Sequence, residues 1–283
     1  MDNFRDKNCL ITGAASGIGR ATAIAAGKLG ARLFLTDIND EMLAETVRLV
    51  EAEGGRVSFH RALDIADYEA VAEMAGVIHE SSGSMDIIMN IAGISVWGEI
   101  DRLTYRHWEK TINIDLWGPV HTIICFLSEM IASGRGGHLV NVASAAGLVA
   151  LPWHSPYSAA KFGLVGVSEV LRYDLIKHHI NVSVVCPGAV ETPLKQTVDI
   201  VGVDRDHPEV KKLEAMFSRR AVSPEKVAGQ IVKAIRRKRF LVFTSTDIRL
   251  LYWLKRKHHW AYHLIMKQVQ KLIVRAMARA SQG

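Results

Sequence analysis

Short apolar runs alternate with helix-length segments over the first 243 residues, and this alternation constrains the fold most strongly. The runs are continuously apolar, which is typical of strands buried on both faces. Strands that alternate with helices form βαβ units with right-handed crossovers. The sequence therefore predicts an α/β fold, a doubly wound parallel sheet with helices on both faces. The predicted strands are 8–12, 32–36, 85–89, 138–142, 181–185 and 240–243, and the predicted helices are 41–54, 67–82, 105–133 and 157–179.

A glycine-rich segment follows the first predicted strand and opens a helix. Gly13, Gly17 and Gly19 suit a tight turn, a close approach of the backbone to a pyrophosphate, and close helix packing. The N–H groups of this turn, which includes Ser16 and Ile18, face the position that phosphates occupy at a helix N-terminus. Glycines also serve ordinary turns, but their place after the first strand predicts a dinucleotide site in a Rossmann-type sheet.

Asp37 ends the second predicted strand, close to twenty residues beyond the glycine loop. A carboxylate there accepts hydrogen bonds from ribose hydroxyls and repels a 2′-phosphate. The following residues, 38–40, contain no Arg or Lys, and the loop contains none before Arg20. This pattern favours NAD over NADP as the cofactor. The alternative is that Asp37 only caps the next turn.

Tyr157 and Lys161 lie four residues apart, so they share one face of the predicted helix. A free tyrosine titrates near pH ~10, and a neighbouring ammonium lowers that pKa. Ser144, at the end of a predicted strand, can donate a hydrogen bond to a substrate oxygen. A Tyr/Lys pair alone is commonly a solvated helix pair, but together with Ser144 and the glycine loop it predicts an acid/base site.

From about residue 5 to 243, the chain resembles the short-chain dehydrogenase/reductase family. The resemblance is carried by the glycine loop, Asn90-Ile-Ala-Gly93, Asn113, Ser144, Tyr157-Ser-Ala-Ala-Lys161 and Pro187-Gly188, in the family's order and spacing.

The resemblance implies a catalytic set of Asn113, Ser144, Tyr157 and Lys161. In this set, Asn113 holds a water that relays protons to Lys161. The alternative is that the amide of Asn113 only makes hydrogen bonds within its own helix. It further implies that Asp64 contacts the adenine and that Asn90 steadies the sheet. The nicotinamide is bordered by Pro187, Gly188 and Thr192. The implied cofactor-binding set is Gly13, Ser16, Gly17, Ile18, Gly19, Asp37, Asp64, Asn90, Ala92, Gly93, Tyr157, Lys161, Pro187, Gly188, Val190 and Thr192.

We expect residues 1–245 to form one dinucleotide-binding and catalytic domain, with a substrate lid at about 190–223. The net charge of +6 is unevenly distributed. From Lys233 onward there are thirteen Lys and Arg and one acid, Asp247, which gives +12; the preceding 232 residues carry 22 basic and 28 acidic residues, which gives −6. Residues 246–283 are predicted to form a helical extension that the family resemblance does not explain.

This extension is predicted to be a basic amphipathic helix. Its basic stripe is Lys267, Lys271, Arg275 and Arg279, its apolar face is Ile265, Val269, Leu272, Ile273, Ala276 and Ala280, and Tyr252, Trp253, Trp260 and Tyr262 cluster where it begins. Such a helix suits an anionic membrane surface, on which it lies without spanning it. The alternative is packing on its own domain or on a sister subunit. Nucleic acid is the least favoured partner.

The three cysteines, Cys9, Cys125 and Cys186, are widely spaced and show neither a disulfide framework nor metal-ligand spacing. No metal site is predicted. The N-terminal residues do not have the pattern of a signal peptide. We therefore expect a cytoplasmic protein, peripheral on the membrane if the tail binds lipid.

The predicted activity is NAD-dependent hydride transfer between a lipophilic secondary alcohol and its ketone. A lipophilic substrate is favoured by the pocket candidates Val96, Trp97, Leu148, Leu151, Trp153 and Val190. A steroid, a long-chain hydroxyacyl compound or a retinoid-like alcohol would suit them. The resemblance also implies a homodimer or homotetramer. Two rival functions are an NADP-linked ketone reductase, such as a 3-ketosphinganine-type reductase, and a non-catalytic dinucleotide-sensing or scaffold protein.

Overall fold

The computed structural model describes residues 4–192, 198–204, 206–219 and 221–280. Within them a seven-stranded parallel sheet has the order β3-β2-β1-β4-β6-β7-β9. The strands are β1 (Asn8–Thr12), β2 (Arg32–Asp37), β3 (Arg56–Ala62), β4 (Ile87–Asn90), β6 (Gly137–Val142), β7 (Ile180–Cys186) and β9 (Leu241–Phe243). The predicted doubly wound Rossmann-type sheet with helices around it, and the helices beyond it, are confirmed.

Two apolar clusters cover the two faces of the sheet. On one face lie α1 (Gly17–Lys28), α2 (Asp40–Ala52) and α8 (Pro224–Arg237). On the other lie α3 (Tyr68–Ser82), α5 (Gly118–Ala132) and α6 (Ser155–Asp174). Because both faces are covered, all residues of β1 and β4 are buried, which explains their continuous hydrophobicity.

β3 is not among the strands predicted from the sequence, because it lies at the edge of the sheet. It pairs only with β2, and its residues alternate between more and less exposed positions along Arg56–Ala62. A second small sheet, β5 (Val96–Trp97) paired with β8 (Asp199–Ile200), was also missed. Strands of two residues leave no periodic signal in the sequence.

The helix predicted over 105–133 is interrupted. The structure has α4 (Tyr105–Ile112), one π-helical turn (Asn113–Trp117) and then α5. Pro119 lies in the first turn of α5 and has no N–H, so it cannot donate to the carbonyl of Asp115 as a regular helix requires. Single π-helical turns of this kind occur frequently at functional sites.

The predicted lid, about 190–223, includes β8 and α7 (Pro208–Ser218), while its residues 193–197, 205 and 220 lie outside the described part. The extension forms α9 (Thr246–Lys257) and α10 (His259–Ala280). Residues 281–283 and the side chains of Ala278, Arg279 and Ala280 are not described.

One face of α10 packs on the protein itself. Ile273, Ala276 and Met277 form a buried cluster with Val198, Ile200 and Val210 of the lid region. The Ala150 N–H donates to the Tyr262 hydroxyl over 2.9 Å, which ties the start of α10 to the loop before α6. The predicted apolar face is therefore divided, because Ile265 and Leu272 are exposed while Ile273 and Ala276 are buried.

Among the described residues, one continuous helical stretch, Tyr105–Ala132, has the length and mean hydropathy of a membrane-crossing segment. Its most apolar window is 44% buried inside the protein. Core helices of globular proteins meet the same two criteria, so this stretch carries no membrane argument by itself.

We expect Ile273→Ala to lower the free energy of unfolding by about 2–4 kcal/mol, because it removes apolar contacts from a site that is 5% exposed. Leu272→Ala is the matched control, since its neighbouring side chain is 43% exposed and should change stability far less. Chemical unfolding followed by circular dichroism measures both. Equal losses in the two variants would contradict the packing of α10 described above.

Candidate active site

The glycine loop lies where the carboxyl ends of β1 and β4 meet, at the switch point of the strand order. A Cβ on Gly13 would lie 2.6 Å from the Ala92 Cα, and one on Gly19 would lie 1.8 Å from the Gly13 carbonyl oxygen. Gly13 also has a φ of 68°, in the left-handed region. These positions accept only glycine, and they keep the backbone open to a ligand at the N-terminus of α1.

Ser16 precedes α1 in the N-cap position, but its side chain makes no capping hydrogen bond. Gly17 and Ile18 begin the helix, and the first turn carries no acidic residue. The first N–H groups of a helix lack intrahelical acceptors, so this end provides unpaired donors and a positive dipole end. The chemistry of this cradle fits a pyrophosphate.

Asp37 is fixed next to this cradle. Its carboxylate accepts from the Ala15 N–H at 2.9 Å and from the Asn39 N–H at 3.0 Å. Arg20, the first cation after the glycine loop, donates to the Ala15 carbonyl oxygen at 2.9 Å and to Glu45 at 3.1 Å. Ile38, beside Asp37, is exposed. The negative charge at the end of β2 is therefore not neutralised by Arg20.

The remaining positions of the implied cofactor set lie around the same edge of the sheet. Asp64 is exposed in the loop after β3 and accepts from the Ala66 N–H. The Pro187 carbonyl oxygen accepts from the Ala145 N–H at 2.7 Å, and the Gly188 N–H donates to Thr244. Val190 is buried, and the Thr192 N–H donates to its carbonyl oxygen at 2.9 Å.

Asn90 belongs to a buried amide chain that joins β4, β6 and α6. Its Nδ2 donates to Asn141 Oδ1 at 2.9 Å, and Asn141 Nδ2 donates to Ser168 Oγ at 2.9 Å. Ala92 and Ile91 donate their N–H groups to the hydroxyl oxygen of Thr12, which joins β4 to β1. Both networks join neighbouring strand ends beneath the glycine loop.

Ser144, Tyr157 and Lys161 are brought together at the end of β6. Ser144 lies beyond that strand and accepts from the Ala146 N–H, which leaves its hydroxyl proton for Tyr157, its hydrogen-bond partner. The Lys161 Nζ lies 5.7 Å from the centroid of the Tyr157 ring and 3.4 Å from the Val142 carbonyl oxygen.

The pKa of Tyr157 is raised from its ordinary value, because burial disfavours the phenolate. Lys161 and the hydrogen bond from Ser144 act in the opposite direction, while Asp115 and Cys186 raise the pKa further. The lowering effect predicted for the Tyr157/Lys161 pair is therefore present, but burial outweighs it in this structure.

Asp115, in the π-helical turn, is the acid that pairs with Lys161. Its Oδ1 lies 3.4 Å from Lys161 Nζ and accepts from the Ile94 N–H at 2.9 Å. Asn113 begins the same turn, is partly buried, and has no side-chain hydrogen bond in the described part of the chain. Its water-holding role stays a prediction. Asp115 was not among the predicted residues, although a lone acid between apolar residues is a signal that could have found it.

Aromatic side chains line the approach to Tyr157. The His154 ring centroid lies 6.4 Å from that of Tyr157 and 4.4 Å from that of Trp97. Burial lowers the pKa of His154 to about 4, so its ring is neutral at physiological pH. Trp153 has a φ of 69°, which is strained for a bulky residue and typical of functional sites.

The C-terminal helices contribute to this side of the site. Trp97 and Trp153 pack against the cluster that contains Ile273 and Met277 of α10. A groove of about 480 Å³ is bordered by Trp153 and Ser155 on one side and by Gln270 and Val274 of α10 on the other. Leu148, Leu151 and Val149 join the apolar cluster that contains Tyr262.

Comparison with known proteins agrees with this geometry. The family model described as short chain dehydrogenase matches residues 7–200, which is more than half of the chain. The chain belongs to the short-chain dehydrogenase/reductase family. It is therefore an oxidoreductase of that family with a nucleotide-binding Rossmann fold.

Relatives within the short-chain dehydrogenase/reductase family span nearly the whole molecule. The Mycobacterium tuberculosis oxidoreductase SadH is 37% identical over 239 residues, covering 83% of this chain and 84% of the relative. The C alpha-dehydrogenase of Sphingobium sp. is 30% identical over 258 residues, covering 88% and 84%. A Burkholderia phymatum family member, solved in complex with NAD, has 27% identity and a TM-score of 0.81, with 91% and 95% of the chains covered.

We expect Tyr157→Phe to lower turnover at least about 100-fold, or about 2.7 kcal/mol, because the variant keeps the ring but loses the exchangeable proton. Dinucleotide affinity, measured by protein fluorescence, should remain nearly unchanged. Turnover is measured by nicotinamide absorbance over a panel of hydrophobic alcohols and ketones. Tyr173→Phe is the matched control, because Tyr173 is exposed on the same helix. A loss of less than tenfold for Tyr157→Phe would contradict the assignment.

Proposed function

We propose that this protein oxidises a lipophilic secondary alcohol to its ketone with NAD, using Tyr157 as the acid/base. The observation that carries the proposal is the partly buried Tyr157, which has Ser144 as a hydrogen-bond partner and the Lys161 Nζ 5.7 Å from its ring centroid. This group lies at the same sheet edge as the cradle of Gly13 and Gly19. This proximity supports a site in which proton transfer takes place beside a bound dinucleotide.

Each residue has a distinct task in this mechanism. Bound NAD supplies the acceptor for the hydride that leaves the carbinol carbon. Tyr157, as the phenolate, takes the proton of the substrate hydroxyl, and Ser144 donates a hydrogen bond to the same oxygen as the carbonyl forms. Lys161 stabilises the phenolate and would hold the nicotinamide ribose. Asn113 holds a water that returns the proton to solvent through Lys161.

The preference for NAD rests on Asp37. Its carboxylate is fixed at the end of β2, and Arg20 is engaged elsewhere, so a 2′-phosphate would meet a negative charge without a cation. The rival activity, an NADP-linked ketone reduction, would require a cation for the 2′-phosphate and no negative charge at the end of β2. Family members differ in this respect: the solved Burkholderia phymatum protein binds NAD, whereas a polyketide ketoreductase with 28% identity was solved with NADPH.

We expect Asp37→Ala combined with Ile38→Arg to shift the preference toward NADP by at least tenfold in kcat/KM, because repulsion is removed and a phosphate partner is added. Asp40→Ala is the matched control, since it removes a nearby acid from the first turn of α2. Dinucleotide affinities measured without substrate should change in the same direction. Equal or better use of NADP by the wild type would contradict this role of Asp37.

A lipophilic substrate is supported by the apolar side chains that the sequence predicts as pocket walls. Val96, Leu148 and Val190 are buried apolar side chains, and Leu151, Trp97 and Trp153 are partly buried. His154 is neutral, so it adds no charge to this region. Such walls favour a steroid-like or long-chain hydroxyacyl alcohol over a small sugar.

We also propose that the protein forms a homodimer or homotetramer, as the family resemblance implies. Exposed apolar side chains occur along α6, in the π-helical turn and in α5, namely Phe162, Val170, Tyr173, Trp117 and Ile124. A second copy of the chain would remove these side chains from water.

The outward face of α9 and α10 is proposed to lie on an anionic membrane surface. Trp253, Trp260 and Leu264 are exposed, and residues 249–283 contain no acidic residue. Each basic residue near an anionic surface contributes roughly 1 kcal/mol, a contribution that fades with salt. Exposed indole rings and leucine add an apolar contribution that is independent of salt. Packing on the protein and lipid binding therefore involve different faces of α10.

We expect Trp260→Ser combined with Leu264→Ser to reduce co-sedimentation with anionic vesicles several-fold, because both side chains are exposed and their loss leaves the packed face intact. The wild type should bind neutral vesicles more weakly and be partly released at high salt. Val77→Ser, an exposed apolar position on α3, is the matched control. A wild type that ignores anionic vesicles would rule the membrane proposal out.

A further inference from the structure

A carboxylate buried beside Lys161 is the feature that the mechanism above does not use. Asp115 is 0% exposed, and one of its oxygens, Oδ2, has no hydrogen-bond partner in the described structure. The other oxygen, Oδ1, lies between Lys161 Nζ and the Ile94 N–H. An ionised group in the interior requires compensation, and the ammonium of Lys161 is the compensating charge.

The surrounding chain is shaped around this pair. A Cβ on Gly93 would lie 2.5 Å from Asp115 Oδ1 and 3.2 Å from Lys161 Nζ, so the absence of a side chain at Gly93 makes room for both groups. The π-helical turn presents Asp115 inward, while Trp117 in the same turn is exposed. Three separate chain segments thus meet at one ion pair.

We propose that Asp115 is a positioning residue whose negative charge offsets that of Lys161 and so keeps Tyr157 protonated to higher pH than Lys161 alone would allow. The proposal deepens the proposed acid/base role of Tyr157. It predicts that alcohol oxidation, which needs the phenolate, develops at higher pH in the wild type than in a variant without this charge.

All ionisable groups that face Tyr157 enter this argument. Lys161 lowers its pKa, and Asp115 and Cys186 raise it. Burial raises the pKa of Cys186 to about 12, and that of His154 is lowered to about 4, so neither changes charge near neutral pH. Burial raises the pKa of Asp115, while the charge of Lys161 and the hydrogen bond from the Ile94 N–H lower it. The ion pair with Lys161 is therefore what supports the negative charge of Asp115, and that charge acts against the charge of Lys161.

The sign of the effect follows from the charges. Replacing Asp115 by the isosteric, neutral Asn leaves the ammonium of Lys161 without an opposing charge. An uncompensated positive charge stabilises the Tyr157 phenolate, so the pKa of Tyr157 should fall by about one unit. The pH at which alcohol oxidation reaches half its maximal kcat/KM should fall with it.

The test does not depend on knowing the substrate. The protein is labelled with tyrosine carrying ¹³C at Cζ, and the NMR shift of each tyrosine is followed with pH; the resonance missing in Tyr157→Phe is that of Tyr157. We expect the titration midpoint of Tyr157 to be about one pH unit lower in Asp115→Asn than in the wild type. If Tyr157 of the wild type does not ionise while the protein is folded, we expect its midpoint to become measurable only in the variant. An equal or higher midpoint, or no ionisation in either protein, overturns the proposal.

Asp115→Glu separates charge from packing. This variant keeps the negative charge but disturbs the tight contact with Gly93, so a purely structural role would make it the more harmful change. Under the proposal its Tyr157 midpoint stays near that of the wild type even if turnover falls. If the Glu variant does not fold, Asp115→Ser serves as a second neutral variant and must shift the midpoint downward. A failed Tyr157→Phe activity test would overturn the proposed function but not this electrostatic coupling.

Discussion

The ammonium of Lys161 is 3% exposed, and a charge this far from water has to be compensated within the protein. Asp115 and the Val142 carbonyl oxygen supply that compensation, from the π-helical turn and from β6. Lys161 in turn lies one helical turn beyond Tyr157 on α6. The π-helical turn at Asn113–Trp117 and the bare backbone at Gly93 both make room for this arrangement, on which the proposed acid/base site depends.

The glycine loop, where the cofactor is proposed to bind, depends on a different constraint, which is steric. Gly13 and Gly19 allow β1, β4 and α1 to approach so closely that no side chain fits between them. The amide chain of Asn90, Asn141 and Ser168 then fixes the strands next to the catalytic helix. The glycine loop and Tyr157 therefore lie at the same edge of the sheet, where backbone packing leaves little space for side chains at Gly13 and Gly19.

The C-terminal helices have one face that packs on the protein and one face in water, and the sequence pattern did not distinguish the two. Ile273 and Met277 face inward and pack with Trp97 and Trp153, while Tyr262 packs with Leu148 and Leu151. Lys255 is also bound to the protein, because its Nζ donates to the Leu148 carbonyl oxygen at 2.7 Å. Trp260 and Leu264 remain in water on the opposite side. A segment that closes the substrate side therefore also carries the surface proposed for lipid.

Much of the fold and part of the site could be predicted because the signals are local. Continuous apolar strands, glycines after the first strand, and a tyrosine four residues before a lysine are readable without tertiary information. β3 could not be read in this way, because an edge strand alternates and resembles a polar loop. Asp115 was not predicted as a site residue, because its importance depends on Lys161, which lies far along the chain.

The sequence by itself determined the alternation of strands and helices, the place of the glycine loop, and the common helical face of Tyr157 and Lys161, because each depends on neighbours within a few residues. Only the tertiary structure decided which acid compensates Lys161 and which face of α10 is buried. The physical reason is that helical periodicity specifies an apolar face, while burial is decided by what packs against it. For Ile273 that surface is the lid region, whereas nothing in the described chain covers Trp260 to the same extent.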